Sequence, residues 1–173
     1  MNIEIKVESK NLDAGLAALR GRLEDCSGGM ERVGEIVVTH ALLAFTNAAE
    51  RPAEWPPLAA STLRARSRKA KEKGKDGKRK RTARAGTAPL IDSGALARSP
   101  RVVAVGKDSV TVGSDRAVEN KAGAQHSLAA IHQFGTKDGR IPARPFFPIE
   151  GNGLTPDVQK EVLDAFGDWL MER

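Results

Sequence analysis

Hydrophobic positions along the first fifty residues follow three patterns, which predict a strand and two helices. Apolar and polar residues alternate at 2–8, as in a half-buried strand. Apolar residues then recur at helical spacing at 12–23 and again at 30–49. The Gly-Gly pair at 28–29 predicts a break between the two helices. Pro52 predicts the end of the second, because the residue before a proline disfavours helical geometry.

The second half of the chain has the pattern of strands and turns. Two β-branched runs at 101–105 and 109–113 are joined by Gly-Lys-Asp, which predicts a β-hairpin. Residues 114–127 are polar and predict a loop, whereas residues 128–134 fit either a strand or a helix. A last helix begins at the Thr-Pro pair 155–156, with threonine as its cap and proline at its first position.

These elements predict an α+β fold, because they lack a repeating strand–helix–strand order. We expect an antiparallel β-sheet packed with two N-terminal helices and a C-terminal helix, in a single domain over 1–173. A long basic insertion loop is expected at about 64–88. No apolar run approaches the roughly 18 residues of a membrane span. Cys26 is the only cysteine and no export signal is visible, so we expect a soluble protein made in a reducing cytoplasm.

Positive charge is concentrated in one basic segment, residues 64–84. This segment has a net charge of +10 whereas the whole chain has +6, so the remainder carries −4. Its twelve cations are Arg64, Arg66, Arg68, Lys69, Lys71, Lys73, Lys75, Lys78, Arg79, Lys80, Arg81 and Arg84. Three interpretations stay open: a solvated loop, contact with acidic surfaces of neighbouring proteins, or contact with DNA phosphates. No aromatic residue interleaves the segment, so stacking on bases is not supported.

Motifs for catalysis or metal binding are absent from the sequence. The three histidines do not have the HxxxH spacing of metal ligands, and no nucleophile-elbow, phosphate-loop or dinucleotide motif occurs. Cys26 lacks an activating neighbour, and His132 is interpreted as a hydrogen-bonded structural histidine rather than a general base. We expect no enzyme activity, no cofactor and no metal. A nucleic-acid-binding protein that uses residues 64–84 is the alternative function.

Four short blocks, named here the first to fourth motifs, occur in a characteristic order. They are Trp55-Pro56-Pro57-Leu58 followed by Ser61-Thr62, then Pro89-Leu90-Ile91-Asp92-Ser93-Gly94-Ala95-Leu96, then Ala130-Ile131-His132-Gln133-Phe134-Gly135, and last Ile141-Pro142-Ala143-Arg144-Pro145-Phe146. The ordered set resembles the virion morphogenesis family of tailed bacteriophages, the tail-completion and neck proteins of Mu-like and related phages. The likeness spans about residues 50–150, and the long basic segment is an addition to it.

This resemblance implies a structural protein of the head–tail junction, either a tail-completion and neck protein or a tail terminator. Such a protein would form a homo-oligomeric ring, a hexamer that matches the tail, and join the tail to the DNA-filled head. Its partners would be copies of itself, neck or connector proteins, tail-tube proteins and in one interpretation phage DNA, with no membrane. It would act in the host cytoplasm during assembly and then reside in the virion.

Aromatic residues cluster around a proline-bracketed arginine in the third and fourth motifs. Arginine beside aromatics is typical of interface centres, so we predict a subunit or partner interface. Its candidates are Trp55, His132, Phe134, Arg144, Phe146 and Phe147. The alternatives are that Trp55 and both phenylalanines complete the core and that Arg144 caps a carbonyl. Adjacent residues of an extended chain face opposite sides, which predicts one of Phe146 and Phe147 inside and one outside. Under the interface interpretation, replacing Arg144 with alanine leaves the fold intact and blocks assembly.

Overall fold

The computed structural model describes the backbone of residues 10–71, 88–119 and 125–172, and the side chains of all of these except residues 10, 11 and 69–71. In these ranges the chain forms five α-helices, which are α1 (Lys10–Glu24), α2 (Ser27–Leu43), α3 (Ala60–Lys71), α4 (Leu128–Phe134) and α5 (Pro156–Met171). Short 3-10 turns occur at Ala48–Glu50 and Leu96–Arg98. The predicted strand at 2–8 lies outside the described residues.

Strands within the described residues form three separate antiparallel pairs. They are β1 (Arg101–Val105) with β2 (Val110–Gly113), β3 (Ala117–Glu119) with β4 (Gln125–Ser127), and β5 (Ile149–Glu150) with β6 (Gly153–Leu154). The first pair is the predicted hairpin, and the α+β class is confirmed. The prediction of a loop at 114–127 is wrong where β3 and β4 pair. Both strands are exposed on all residues, so their side chains show no alternation that could reveal them.

Helices α2 and α5 run in opposite directions and pack closely. Gly29, in the first turn of α2, faces Phe166 and Trp169 near the end of α5. A Cβ atom built on Gly29 would lie 2.6 Å from the Trp169 ring and 2.7 Å from the Phe166 ring. The predicted break at 28–29 is therefore wrong, because these glycines lie inside α2 and let two aromatic rings approach its backbone. The break falls at 25–26, between α1 and α2.

Helix α2 ends at Leu43, earlier than the predicted residue 49. The chain then turns so that Phe45 is buried, and Asn47 starts the following 3-10 turn. The Asn47 side chain accepts a hydrogen bond from the Ala49 backbone N at 3.1 Å. Asparagine favours such local bonds over continuation of a helix, which accounts for the early end.

The hydrophobic core joins the end of α2 to the first, second and fourth motifs and to the start of α4. Its buried members are Ala41, Ala44, Phe45, Trp55, Leu96, Ala129, Phe146 and Phe147. Phe45 lies at the centre, with its ring centroid 5.7 Å from that of Trp55 and 5.0 Å from that of Phe146. Nearer the start of α2 and on the same face, Gly34 admits Val102 and Val110, which seats the β1–β2 hairpin on the helix.

Helices α3 and α1 each differ from the prediction, α3 in its extent and α1 in its exposure. Residues 64–71 of the basic segment, predicted as part of a loop, belong to α3, and residues 72–87 lie outside the described residues. Helix α1 forms as predicted, but Leu12, Leu16 and Leu23 on its surface are 63%, 55% and 59% exposed. Most of the apolar face of α1 is therefore uncovered by the described part of the chain.

Candidate functional site

The four motifs meet around one cavity of about 520 Å³, which we name the motif cavity. Its lining comprises Pro57, Leu58, Ala59, Thr62 and Arg66 from the first motif and α3, Leu90, Asp92, Ser93, Gly94, Ala95 and Leu96 from the second, Arg116, Leu128 and His132 around α4, and Arg140, Ile141, Pro142 and Arg144 from the fourth motif and the loop before it. Segments far apart in the sequence thus build a single site.

Arg144 connects the fourth motif to the first and third. Its side chain is only 5% exposed. The guanidinium donates from Nε to the Pro56 carbonyl oxygen at 2.8 Å and from Nη2 to that of Pro57 at 2.9 Å. Its backbone N donates to the carbonyl oxygen of His132 at 2.7 Å. Arg144 therefore caps carbonyls within its own subunit. The interface interpretation, in which its side chain docks on a neighbour, does not fit this burial.

Phe146 and Phe147 both lie inside the core, so the prediction that one of them faces outward is wrong. Their rings are 4.8 Å apart between centroids, and the residues are 0% and 9% exposed. This segment is not a regular strand, so the alternation of an extended chain does not apply to it. Neither ring is available in this fold as a docking group for another protein.

Gln133 fixes both phenylalanines, and sequence reasoning missed it. Its side-chain oxygen Oε1 accepts from the backbone N of Phe146 and of Phe147, each at 3.0 Å. Its Nε2 donates to the carbonyl oxygen of Phe147 at 3.2 Å. Gln133 is 6% exposed, and buried polar groups need such partners. A glutamine between apolar residues in a helix was the only signal that could have revealed it.

Trp55 belongs to the core, which was the alternative to its interface interpretation. Its ring Nε1 donates to the carbonyl oxygen of Pro145 at 2.7 Å, and the residue is 6% exposed. The Arg51 guanidinium lies 4.1 Å from the ring centroid, in cation–π geometry. The bond to Pro145 is a second direct link between the first and fourth motifs.

His132 and Phe134 occupy opposite sides of α4. His132 lines the motif cavity, and its Nδ1 atom is buried with no hydrogen-bond partner among the described residues. The prediction of a hydrogen-bonded ring is therefore not met at this atom. Burial, and then the nearby charge of Arg144, lower the pKa of His132 below its ordinary value, which favours the neutral ring. Phe134 is 72% exposed and is the one candidate aromatic that the described fold leaves on the surface.

Gly135 allows the third and fourth motifs to approach each other. Its φ of +75° suits glycine, and a Cβ atom there would lie 2.9 Å from the backbone N of Ala143. The loop between the motifs is closed by the Thr136 backbone N, which donates to the Ile141 carbonyl oxygen at 2.9 Å. This closure places Arg140 at the rim of the motif cavity.

The predicted cations of the basic segment divide into three groups. Arg66 lines the motif cavity and donates from Nη1 to the Ala88 carbonyl oxygen at 2.9 Å. Arg64 and Arg68 are exposed on α3. The other side chains, those of Lys69, Lys71, Lys73, Lys75, Lys78, Arg79, Lys80, Arg81 and Arg84, lie outside the described residues.

Among the side chains that the structure describes, no group of three or more His, Cys, Asp and Glu could hold a metal ion. None of the described helices is long and apolar enough to cross a membrane.

Comparison with known proteins agrees with the motifs. The model of the phage virion morphogenesis family matches residues 7–171 of the 173-residue chain. No curated protein and no solved structure matches it. The family match covers almost the whole chain, so this protein belongs to the phage virion morphogenesis family, which gives it a role in phage assembly and an association with the virion.

Proposed function

We propose that this protein is a structural component of the head–tail junction that completes the tail or neck, so that the tail joins a DNA-filled head. The observation that carries the proposal is the family match over residues 7–171. The internal structure supports it, because the motifs behind the resemblance are bonded to one another through Arg144, Gln133 and Trp55. The motifs therefore maintain the shape of the subunit, and the contacts that close a ring of copies fall to residues outside them or at their edges.

The subunit works as a ring, and a hexamer would match the symmetry of a tail. A closed ring needs heterologous contacts, in which one surface of a subunit meets a different surface of the next. Large apolar side chains that the described fold leaves exposed supply candidates on several elements. They are Leu12, Leu16 and Leu23 on α1, Phe134 on α4, and Leu163 and Met171 on α5. Burying such residues between copies would supply the hydrophobic part of the interface.

Neck, connector and tail-tube proteins are the proposed partners above and below the ring. The basic segment adds a second kind of contact. Its first residues belong to α3, where Arg64 and Arg68 are exposed. Acidic surfaces of these partners, or DNA held at the neck, would suit that charge. If DNA binding were the main activity, it would weaken steeply with salt and vanish on deletion of residues 64–84.

The proposal is tested by electron microscopy of lysates from the parent phage with this gene deleted. We expect full heads lying beside separate tails, and joined virions when the gene is supplied from a plasmid. Normally joined virions in the deletion lysate would overturn the proposal. A complementing gene that lacks residues 64–84 then shows whether the basic segment is needed for joining.

A further inference from the structure

Arg144 is a buried cation without a counter-ion among the residues that the structure describes. Its two side-chain hydrogen bonds go to the neutral carbonyl oxygens of Pro56 and Pro57, and no carboxylate among the described residues pairs with it. Buried charges in proteins are normally paired. Burial lowers the pKa of the Arg144 guanidinium, as expected for a cation with no carboxylate beside it. An anion supplied from outside would complete this site.

The remaining charges around the motif cavity are also mostly positive. Arg66, Arg116 and Arg140 line it together with Arg144, whereas Asp92 is the one carboxylate that the described part of the chain contributes to its lining. Asp92 lies 3.9 Å from the Nε of Arg66, so its charge is directed towards that arginine. Arg116 and Arg140 are exposed, and the Nε of Arg140 lies 3.2 Å from a carboxylate oxygen of Asp138, which is not among the residues that line the cavity. The cavity therefore has an excess of guanidinium groups, which bind carboxylates in a bidentate manner.

Aliphatic side chains form the rest of the wall. Leu58, Leu90, Leu128 and Ile141 contribute apolar surface, and the described residues that line the cavity include no aromatic ring other than the imidazole of His132. The volume of about 520 Å³ suits two or three side chains of a peptide and lies in the usual range of ligand pockets. A nucleic-acid phosphate would match the charge, but it would leave the aliphatic wall without a partner.

We propose that the motif cavity binds a segment of another protein that presents a carboxylate beside an aliphatic side chain. The carboxylate balances the arginine charge, and the aliphatic group packs against the leucine and isoleucine wall. That the partner is another protein of the virion rests on the proposed function, whereas the class of ligand rests on the cavity alone. This places a binding site inside the motifs, separate from the exposed apolar residues assigned to ring contacts.

Two capped pentapeptides test the site on the full chain. Ac-SLDLS-NH2 has the proposed chemistry, and Ac-SLNLS-NH2 differs only in replacing the carboxylate with an amide. Binding is followed by NMR shifts of the labelled protein. We expect the aspartate peptide to shift cavity residues with a Kd of about 1 mM, and the asparagine peptide to bind about tenfold more weakly. Equal binding of the two peptides would overturn the proposal. So would the absence of binding up to about 20 mM, because even ligands this weak are detected at that concentration.

Matched arginine variants locate the binding. Arg140→Ala should weaken the aspartate peptide about tenfold, as loss of a charged partner does. Arg20→Ala is the control, because Arg20 is 83% exposed and pairs with an acid, as Arg140 does, but lies on α1 away from the cavity. Equal effects of the two variants would contradict the site. A short DNA duplex is tested in the same way. If it binds more tightly than the peptide and loses affinity in Arg140→Ala but not in Arg20→Ala, the cavity is a phosphate site instead.

The peptide experiment tests the binding site and the deletion lysate tests the head–tail role, so either proposal can be contradicted without the other. Specific peptide binding together with normally joined virions would keep the site and remove the head–tail role. Separate heads and tails without peptide binding would keep that role and remove the site.

Discussion

Arg144 and Pro56 lie 88 residues apart in the chain, yet the Arg144 Nε atom donates to the Pro56 carbonyl oxygen at 2.8 Å. This bond and its neighbour to Pro57 turn two proline-rich stretches into one rigid wall of the motif cavity. Proline carbonyls have no competing helix or strand partner here, so an arginine that reaches both satisfies them. The same residue serves the fold and gives the cavity its positive charge.

Arg144→Ala should destabilise the protein by about 2–3 kcal/mol, because a buried side chain and its two charge-assisted hydrogen bonds to the carbonyl oxygens of Pro56 and Pro57 are lost. This revises the expectation that the variant folds normally. The midpoint of urea unfolding measures the change. Arg140→Ala, which removes an arginine that is 86% exposed, should change stability by less than about 0.5 kcal/mol. Equal midpoints for Arg144→Ala and the parent protein would refute the capping role.

Gly29→Ala should lower stability by about 1–3 kcal/mol, because its Cβ atom would enter the space of Trp169 and Phe166, at 2.6 and 2.7 Å. Gly21→Ala is the matched control in α1, where nothing lies within 4 Å of the new Cβ atom. That variant should gain about 0.5–1 kcal/mol from helix propensity. Thermal unfolding of both variants measures the contrast, and two shifts of the same sign would contradict the packing described for α2 and α5.

Stability should depend on the protonation of His40, which bridges two carboxylates. Its Nδ1 lies 2.7 Å from a Glu50 oxygen and its Nε2 lies 2.9 Å from a Glu161 oxygen. Burial lowers the pKa of His40, but hydrogen bonds to Glu161 and Glu50 raise it by more, so its pKa lies above the ordinary value.

A raised native-state pKa means that the stabilisation from His40 is fully present below its unfolded-state pKa of about 6.5, and is lost as pH rises through the folded-state pKa. Urea unfolding between about pH 5.5 and 8.5, a window that begins below the ordinary histidine pKa and extends above it, should show this loss. Removing one carboxylate with Glu161→Gln should reduce the dependence. An unchanged pH profile in that variant would exclude the bridge as its cause.

Phe134→Ser should block assembly without unfolding the subunit. The side chain is 72% exposed, so we expect a stability change below about 0.5 kcal/mol. Val103→Ser, at a residue 57% exposed on β1, is the matched control and should complement normally. Complementation of the deletion phage measures both variants. Normal plaque yield from Phe134→Ser would remove Phe134 from the interface.

The sequence predicted correctly those elements that are set by their own residues, such as a helix start or a hairpin turn. Helix α5 starts at Pro156 and β1 and β2 form a hairpin, as predicted; Thr155 holds the cap position, but its side chain makes no capping hydrogen bond. The class of fold follows from such elements. The pair β3 and β4 gave no signal, since a fully exposed ribbon shows no alternation of apolar residues.

Residues whose roles depend on distant partners were misjudged. Gly29 looks like a break until Trp169 is placed against it, and Gln133 is unremarkable until its bonds to Phe146 and Phe147 are seen. In the sequence, Arg144 looks like an interface arginine because it has aromatic neighbours and flanking prolines. Only the position of Pro56 in the fold shows that Arg144 caps carbonyls. Tertiary contacts of this kind are not encoded in spacing along the chain.

The most direct test of the account is an electron cryomicroscopy structure of the head–tail junction of the parent phage, at a resolution that identifies side chains. We expect a closed ring of this subunit between head and tail, with apolar residues such as Phe134 between copies and a carboxylate of a neighbouring protein in the motif cavity. A junction without this protein would contradict the proposed function. A ring whose motif cavities face only solvent would contradict the proposed binding site.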